Sequence, residues 1–290
     1  MLSDSQGTVR LSRNGYNSVY LHLVLTIDSM DIIKSCRTLR SPQYPFVTYI
    51  GLDCRAALWE HQSIGNSIGS RFATLFEDNA TSTAHELQLK VTYLISYTRV
   101  LEDFAFLKQY AISPASLAEM RNFTQHEIMC GAENLVDQTL HHKEPVFAIT
   151  HLAAIIYSLI CLFPITDAPF QQLGQHIESF FIGHRFLQQW SQVPGLMTWI
   201  LYMAGLALGD TSDRLWITRI LARHIDNQES HEWASIAEVL RQYLWMPDLN
   251  NEDGVQMWEE VETMRRPASP QRTRASVPTQ SFNVSYMRHY

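Results

Sequence analysis

A chain of 290 residues is long enough to bury a substantial core, as one large domain or as two small ones. Apolar residues make up 46% of it and charged residues 18%, which excludes an intrinsically disordered protein. Five of the 22 basic residues follow Glu262 and no acidic residue does, so residues 1–262 hold 17 basic and 29 acidic residues, a net charge of −12. A body this acidic repels phosphate, and we expect no direct nucleic-acid binding by it.

The first 45 residues form a poorly defined N-terminal segment. Residues 1–17 are polar and are expected to fray, whereas residues 19–39 contain one short apolar element whose pattern fits a helix or a strand. Pro42 and Pro45 then mark a turn. The apolar element is short, is interrupted by His22 and lacks a small-residue cleavage site, so we expect no secretory signal here.

Helical patterns dominate the middle of the chain, and no alternation of strands and helices indicates a parallel sheet. Helices are predicted over residues 49–77 (with a break near Gly65 and Gly69), 87–110, 117–140, 147–163 and 170–189. Pro114 opens the third of these, because a proline at the first helical position loses no hydrogen bond. The run 147–163 is apolar over 17 residues, which is short for a membrane span of about 20 residues and favours a buried core helix.

Six of the seven tryptophans lie between residues 190 and 264, in a stretch whose pattern indicates four short amphipathic helices. These are predicted over 196–208, from Asp213, from an N-cap at Ser230, and after Gly254. The apolar stripe of the second contains Leu215, Trp216, Ile217, Ile220 and Leu221, and that of the third contains Trp233, Ile236, Ala237, Leu240 and Leu244. Pro247 is expected to end the third helix. Buried tryptophans remove large apolar areas from water, so we predict that Trp199, Trp216, Trp233 and Trp245 are mostly buried.

The same residues resemble the C-terminal part of the fungal-specific transcription factor regulatory domain. The resemblance rests on the runs PGLMTWILYMAG (194–205), DRLW (213–216), VLRQYLW (239–245) and MWEEV (257–261), with LAAIIY (152–157) upstream. It covers about residues 148–262, whereas the first 147 residues match the family poorly. In the family this domain usually follows a six-cysteine zinc cluster, and the sequence contains no such cluster.

The helical patterns and the resemblance together predict an all-α protein, a multi-helix bundle or an irregular helical array. We divide the chain into the N-terminal segment 1–45, a helical regulatory-type domain over 46–264 and a disordered basic Ser/Pro/Arg tail over 265–290. The resemblance implies a nuclear transcription regulator that acts through self-association, protein partners or a small-molecule effector. Specific DNA binding by this chain alone and membrane association are not expected. The missing cluster fits either a natural relative without it or a chain shortened before it.

One short motif indicates a different function. Residues 65–69, GNSIG, fit the G-x-S-x-G pattern of a hydrolase, in which Ser67 would be presented between a strand and a helix. The preceding residues 59–63 are polar and predict no buried strand, so we expect Ser67 in or beside a helix, without a His–acid pair around it. We predict that the chain is not an enzyme and has no catalytic residue. A serine hydrolase using Ser67 and a non-catalytic helical scaffold are the alternatives.

The histidines and cysteines predict no metal site and no cofactor. Cysteines 36, 54, 130 and 161 form no CxxC pair, no histidine is expected to share a metal with them, and free thiols follow. His126, His141, His142 and His151 could gather in space, but adjacent histidines point to different faces of a helix. His85-Glu86 and His231-Glu232 each lack the second histidine, four residues after the first, that a zinc protease requires.

The basic tail carries only weak signals. Arg265-Arg266 is too short to predict nuclear import firmly, and the tail could also touch DNA through its arginines. Ser269 and Ser276 lie near arginines, where kinases often act, but such sites are frequent by chance. A solvated tail without a function is the preferred interpretation.

Overall fold

The regular elements of the protein are helices throughout the part of the chain that the structure, a computed structural model, describes. That part comprises residues 29–48, 53–60, 68–77, 81–107, 112–136, 144–165, 168–183, 193–209, 212–226 and 232–265. The twelve helices there are α1 (29–38), α2 (Cys54–Glu60), α3 (Phe72–Glu77), α4 (Ser82–Leu107), α5 (Pro114–Met129), α6 (Ala132–Val136), α7 (Pro145–Tyr157), α8 (Phe170–Gly183), α9 (Pro194–Leu208), α10 (Arg214–Asp226), α11 (Trp233–Gln242) and α12 (Pro247–Arg265). The predicted all-α class is confirmed. The predicted frayed segment 1–17 and the tail from residue 266 onward lie outside the described residues.

Helix α7 lies at the centre and joins two groups of helices. It packs against α4, α5 and α6 on one side and against α8 and α9 on the other. All its residues from Phe147 to Tyr157 are buried, and a π-helical turn, Ser158–Leu162, extends it. The stretch Pro145–Leu162 has a mean hydropathy of 2.0, long and apolar enough to cross a membrane, yet 78% of it is buried inside the protein. This is the environment of a core helix, as the sequence predicts.

Helix α9 organises the second group, in which it contacts α8, α10, α11 and α12. Pro194 begins the helix and Gly209, with φ of +54°, follows its last residue. Trp199 lies on α9 and donates from Nε1 to the Leu244 carbonyl at 2.8 Å. Trp199 and Trp245 are fully buried, whereas Trp216 and Trp233 are partly buried against the same core. None of the four side chains lies largely in water, so the predicted burial is confirmed.

Several predicted boundaries in this half are wrong. The third predicted helix, α11, ends at Gln242, so Leu244 and Trp245 lie beyond it rather than on its apolar stripe. Pro247 does not simply end a helix but begins α12, inside which Gly254 lies. The N-cap of α11 is Glu232 and not Ser230, which lies outside the described residues. Leu215, predicted on the apolar stripe of α10, is 46% exposed.

The first group of helices contains one further correction. Helix α4 begins at Ser82, five residues before its predicted start, and its described part ends at Leu107. Ser113 caps α5 by accepting a hydrogen bond from the Ser116 N–H, with Pro114 at the first helical position. However, the predicted helix 117–140 stops at Met129, because Gly131 takes a φ of +78° and turns the chain into α6. The apolar element predicted within residues 19–39 is the helix α1 in its described part, and Ile32, Cys36 and Leu39 belong to the common core.

A turn over residues 68–71 connects the two groups of helices. The N–H of Gly69 donates to the Arg241 carbonyl at 3.4 Å, and the N–H of Arg71 donates to the Gln242 carbonyl at 3.0 Å. The side chains of Arg71 and Gln242 add a bond of 3.1 Å. These carbonyls end α11 and have no partner within their own helix. The turn therefore completes a helix terminus that lies about 170 residues further along the chain.

Candidate functional site

A group of polar contacts surrounds the junction between α5 and α6. Cys130 is the C-cap of α5, and its N–H donates to the carbonyls of His126 and Glu127. Gly131 follows in the left-handed region, a conformation that a residue with a side chain adopts only with strain. The junction is thus a sharp turn that exposes backbone polar groups to side chains from three other segments.

Ser41, from the loop after α1, is the first of these side chains. Its Oγ accepts from the Gly131 N–H at 2.7 Å and donates to Glu133 Oε2 at 2.6 Å. The Ser41 N–H donates to the same carboxylate oxygen at 2.7 Å. Burial alone would raise the pKa of Glu133, but these hydrogen bonds from Ser41 favour the carboxylate and lower the pKa below its ordinary value. The contacts fasten the N-terminal loop to α6.

The second side chain that contacts the junction is Lys90, from α4. Its side chain is buried, and Nζ contacts Glu86 Oε1 at 2.6 Å and donates to the Cys130 carbonyl. A buried ammonium requires such partners, since leaving it without them would cost several kcal/mol.

A cavity of about 230 Å³ opens beside this group and is lined by Thr83, Glu86, Leu87, Lys90, Gly131, Asn134, Leu135, Phe147, Ala148 and His151. Lys90, Glu86 and Asn134 give it a polar end, and Phe147 and Leu87 an apolar one.

His151, from α7, forms the floor of this cavity. Its Nε2 lies 2.7 Å from the Ile128 carbonyl, which can only accept, so Nε2 carries the proton. Burial lowers the pKa of His151 to about 3, and the nearby Lys90 charge acts in the same direction. The imidazole is therefore neutral at physiological pH. Its Nδ1 is then an acceptor.

His126 and Cys130 form a pair on the last turn of α5. His126 Nδ1 lies 3.8 Å from Cys130 Sγ and 3.4 Å from Glu127 Oε1, and Nε2 lies 3.0 Å from the Tyr44 carbonyl. Burial opposes protonation of the ring, but the hydrogen bonds with Cys130, Glu127 and Tyr44 outweigh it and raise the pKa of His126 to about 10. The ring is an imidazolium at neutral pH. A cation in the last turn of a helix also interacts favourably with the helix dipole.

The residues singled out from the sequence do not assemble into a metal or catalytic site among the described residues. His126 and His151 bind separate carbonyls, and no group of three or more His, Cys, Asp or Glu there could hold a metal ion. His141, His142 and Ser67 lie outside the described residues. None of the four cysteines forms a disulfide bond, and burial raises the pKa of the Cys36 and Cys54 thiols to about 12.

The surroundings of the GNSIG motif are described only in part. The regular element before it is the helix α2, which ends at Glu60, and the helix α3 follows at Phe72. Ile68 lies in the turn between them, and its carbonyl accepts from Arg99 at 2.8 Å. Gly69, Phe72 and Arg99 line a second cavity of about 230 Å³. The requirement that Ser67 follow a strand remains untested, because residues 61–67 lie outside the described part.

Sequence reasoning missed the junction, although part of its signal was present. His126 and Cys130, like Glu86 and Lys90, are four residues apart on one helix, a spacing that brings side chains together. The pair of His126 and Cys130 was overlooked because the histidines and cysteines were considered only as metal ligands. The contacts of Ser41 with Glu133 span 92 residues and have no local signal.

Comparison of the chain with protein-family models, with curated protein sequences and with solved structures finds no match. The junction must therefore be interpreted from its own geometry. It offers a small cavity that Lys90 and His151 help to line, and a thiol beside an imidazolium.

Proposed function

We propose that the chain is a transcription regulator-like protein that lacks its own zinc-cluster DNA-binding domain and acts in the nucleus through self-association, protein partners or a small effector. The observation that carries the proposal is the packing of the tryptophan-rich half. The residues that resemble the fungal regulatory domain meet in one core, where Trp199 stacks on Tyr243 and Trp245 lies edge-on to Tyr202 and Trp233. The residues whose spacing resembles that of the family are thus residues that contact one another in the core.

Charge supports a regulator that does not read bases itself. Residues 1–262 carry a net charge of −12, and a protein that neutralises phosphates needs clustered Lys and Arg instead. The purified chain should show no sequence-specific retention of duplex DNA by fluorescence anisotropy at physiological salt. Any weak binding should come from the arginines after Glu262 and should disappear as salt rises. Specific binding that survives deletion of residues 265–290 would contradict the proposal.

The direct test is a tethering experiment. The full chain is fused to a heterologous DNA-binding domain whose site lies upstream of a reporter gene in a fungal host. We expect a several-fold change in reporter output relative to the DNA-binding domain alone, because a regulatory domain recruits partners without touching the DNA. A fusion carrying Trp245→Ala serves as a matched control, since it disrupts the buried core and should abolish the effect. A folded, nuclear fusion that leaves the reporter unchanged would refute the proposal.

The hydrolase alternative has its own test. A fluorophosphonate probe labels an activated serine covalently, so a hydrolase that uses Ser67 would be labelled stoichiometrically and the variant Ser67→Ala would not. We expect no labelling. Stoichiometric labelling that Ser67→Ala removes would favour catalysis over regulation. A non-catalytic scaffold would be distinguished by failure of both this test and the tethering experiment.

A further inference from the structure

We propose that Cys130 is a modification site, a thiol that His126 activates for attack on hydroperoxides. The inference depends on the contacts of the α5–α6 junction and not on the proposed function. It makes the junction sensitive to an oxidant, and its failure would leave the tethering result unaffected.

The protonation of His126 follows from the groups that surround its ring. The Tyr44 carbonyl 3.0 Å from Nε2 is an acceptor only, and so is the Glu127 carboxylate 3.4 Å from Nδ1. Both ring nitrogens therefore carry protons. Phe46 packs against the ring, with the centroids 5.8 Å apart, and helps to hold it in place. The raised pKa of His126 agrees with this geometry.

The imidazolium lies close enough to influence the thiol. Cys130 Sγ is 3.8 Å from Nδ1, and a cation at this distance attracts the thiolate, which is the reactive form. Two other charges belong to the same surroundings. The Lys90 ammonium binds the Cys130 carbonyl and adds positive charge, whereas the neighbouring Glu127 carboxylate shares the Nδ1 proton and opposes the thiolate.

The four cysteines differ in their access to solvent, which supplies internal controls. Cys36 and Cys54 are fully buried, and burial raises the pKa of both thiols to about 12, so they are inert in the folded chain. Cys130 and Cys161 are both partly exposed. Cys161 lies on the π-helical turn after α7, away from His126 in the sequence and on a different helix. It is the matched comparison for reactivity that exposure alone would give.

The reaction is a two-electron oxidation of sulfur. The Cys130 thiolate attacks the terminal oxygen of the hydroperoxide, an S–O bond forms and the O–O bond breaks. The departing alkoxide takes the proton from His126 Nδ1 and leaves as an alcohol, or as water when the oxidant is hydrogen peroxide. Cys130 becomes a sulfenic acid, so one thiol and one hydroperoxide give one sulfenic acid and one alcohol.

The position of Cys130 connects this chemistry with the fold. His126 donates to the Tyr44 carbonyl in the loop after α1, and the next residue after Cys130 donates to Ser41 in the same loop. A sulfenic oxygen would lie on the Nδ1 side of the ring, whereas the Tyr44 carbonyl is bound through Nε2. Oxidation would therefore change the surroundings of Nδ1 and leave the contact of Nε2 with the loop in place.

The test uses the full chain and two reagents. Iodoacetamide, which reacts with a thiolate and releases iodide, is applied at mildly acidic to alkaline pH, and the labelling of each cysteine is measured by peptide mass spectrometry. We expect Cys130 to react at least about tenfold faster than Cys161 near neutral pH, because the imidazolium 3.8 Å from Sγ favours the thiolate that attacks the reagent. Hydrogen peroxide followed by dimedone should then trap a sulfenic acid at Cys130.

The variant His126→Gln should lower the Cys130 rate to that of Cys161, with circular dichroism to show that the helices persist. The comparison of Cys130 with Cys161 in the unmodified chain needs no variant, should His126→Gln fail to fold. Equal rates for Cys130 and Cys161 across the pH range would overturn the proposal. So would a Cys130 rate that a folded His126→Gln variant leaves unchanged, or dimedone adducts at Cys161 in place of Cys130.

Discussion

Gly254 lies in the middle of α12, where a glycine would ordinarily be a weak point. Replacing an open helical glycine with alanine stabilises a helix by about 0.5–1 kcal/mol, since alanine loses less backbone freedom on folding. Here, however, a Cβ at residue 254 would lie 2.6 Å from Cζ2 of Trp245 and 2.7 Å from Cη2 of Trp233. Carbon atoms in contact lie about 3.5–4.0 Å apart, so both indole rings would have to move by about 1 Å.

The two rings cannot move easily. Trp245 is fully buried, and Trp233 donates from Nε1 to Asn251 Oδ1 on α12 itself at 3.2 Å. Overpacking of a tight core costs about 1–3 kcal/mol, which exceeds the gain in helix propensity. We therefore expect Gly254→Ala to lower the free energy of unfolding by about 1–2 kcal/mol, the combination of that cost with the smaller propensity gain.

The assay is urea unfolding followed by far-UV circular dichroism, because the change perturbs tryptophan fluorescence directly. Gly205→Ala is the matched control, since its Cβ would overlap the end of the flexible Met257 side chain and would meet Ile217 Cγ2 at an ordinary contact distance of 3.6 Å, and we expect a smaller loss or a gain. Glu252→Ala, at an exposed position on the same helix, should change stability by less than about 0.5 kcal/mol. A Gly254→Ala variant more stable than the parent would refute the close approach of the rings.

Two further predictions concern the core and pH. Trp245→Ala should lower the free energy of unfolding by about 3–5 kcal/mol in the same urea assay, because the cavity it leaves is lined by rigid aromatic rings; a loss below about 1 kcal/mol would contradict the burial. The pKa of His151 is lowered from 6.5 to about 3, so the unfolded chain binds the extra proton, and stability should fall as pH drops below 6.5, by up to about 1.4 kcal/mol per pH unit. The pKa of His126 is raised from 6.5 to about 10, so its contribution is complete below pH 6.5 and is lost as pH rises toward 10. Urea midpoints measured across pH check both effects. His151→Gln should reduce the loss of stability at acid pH, and His126→Gln should reduce the loss at alkaline pH. The opposite assignment of the two effects would contradict this account.

The helices whose signals are local were predicted well. Helix α7 is apolar on every side and α5 begins with Ser113-Pro114, and both signals act within a few residues. The end of α5 could not be predicted from helical spacing alone. The pattern continues past Met129, but Cys130 is extended, with φ of −60° and ψ of 125°, and Gly131 is left-handed, and together they stop the helix. The position of the glycine can signal this turn, whereas the apolar pattern cannot.

The remaining wrong predictions concern places where contacts between distant parts of the chain determine the structure. Trp245 continues the spacing of α11, yet the chain leaves the helix after Gln242, and Trp245 packs against Tyr202 and Gly254 instead. The junction site likewise needs partners from distant segments, such as Ser41 for Gly131 and Ile128 for His151. The sequence could have predicted only the contacts between residues four apart on one helix, which are Glu86 with Lys90 and His126 with Cys130.

The turn over residues 68–71 has a consequence for the newly made chain. It donates to the last carbonyls of α11, and its side-chain partner Gln242 follows Arg71 by 171 residues. At synthesis rates of about 5–20 residues per second, the turn leaves the ribosome roughly 10–30 s before its partner exists. Throughout that interval the N–H groups of Gly69 and Arg71 lack their native acceptors, and the Phe72 ring of α3 lacks its contact with Tyr243. The turn can therefore form its native hydrogen bonds only after α11 has left the ribosome. If the ribosome stalled before that point, the first half of the protein would lack these contacts.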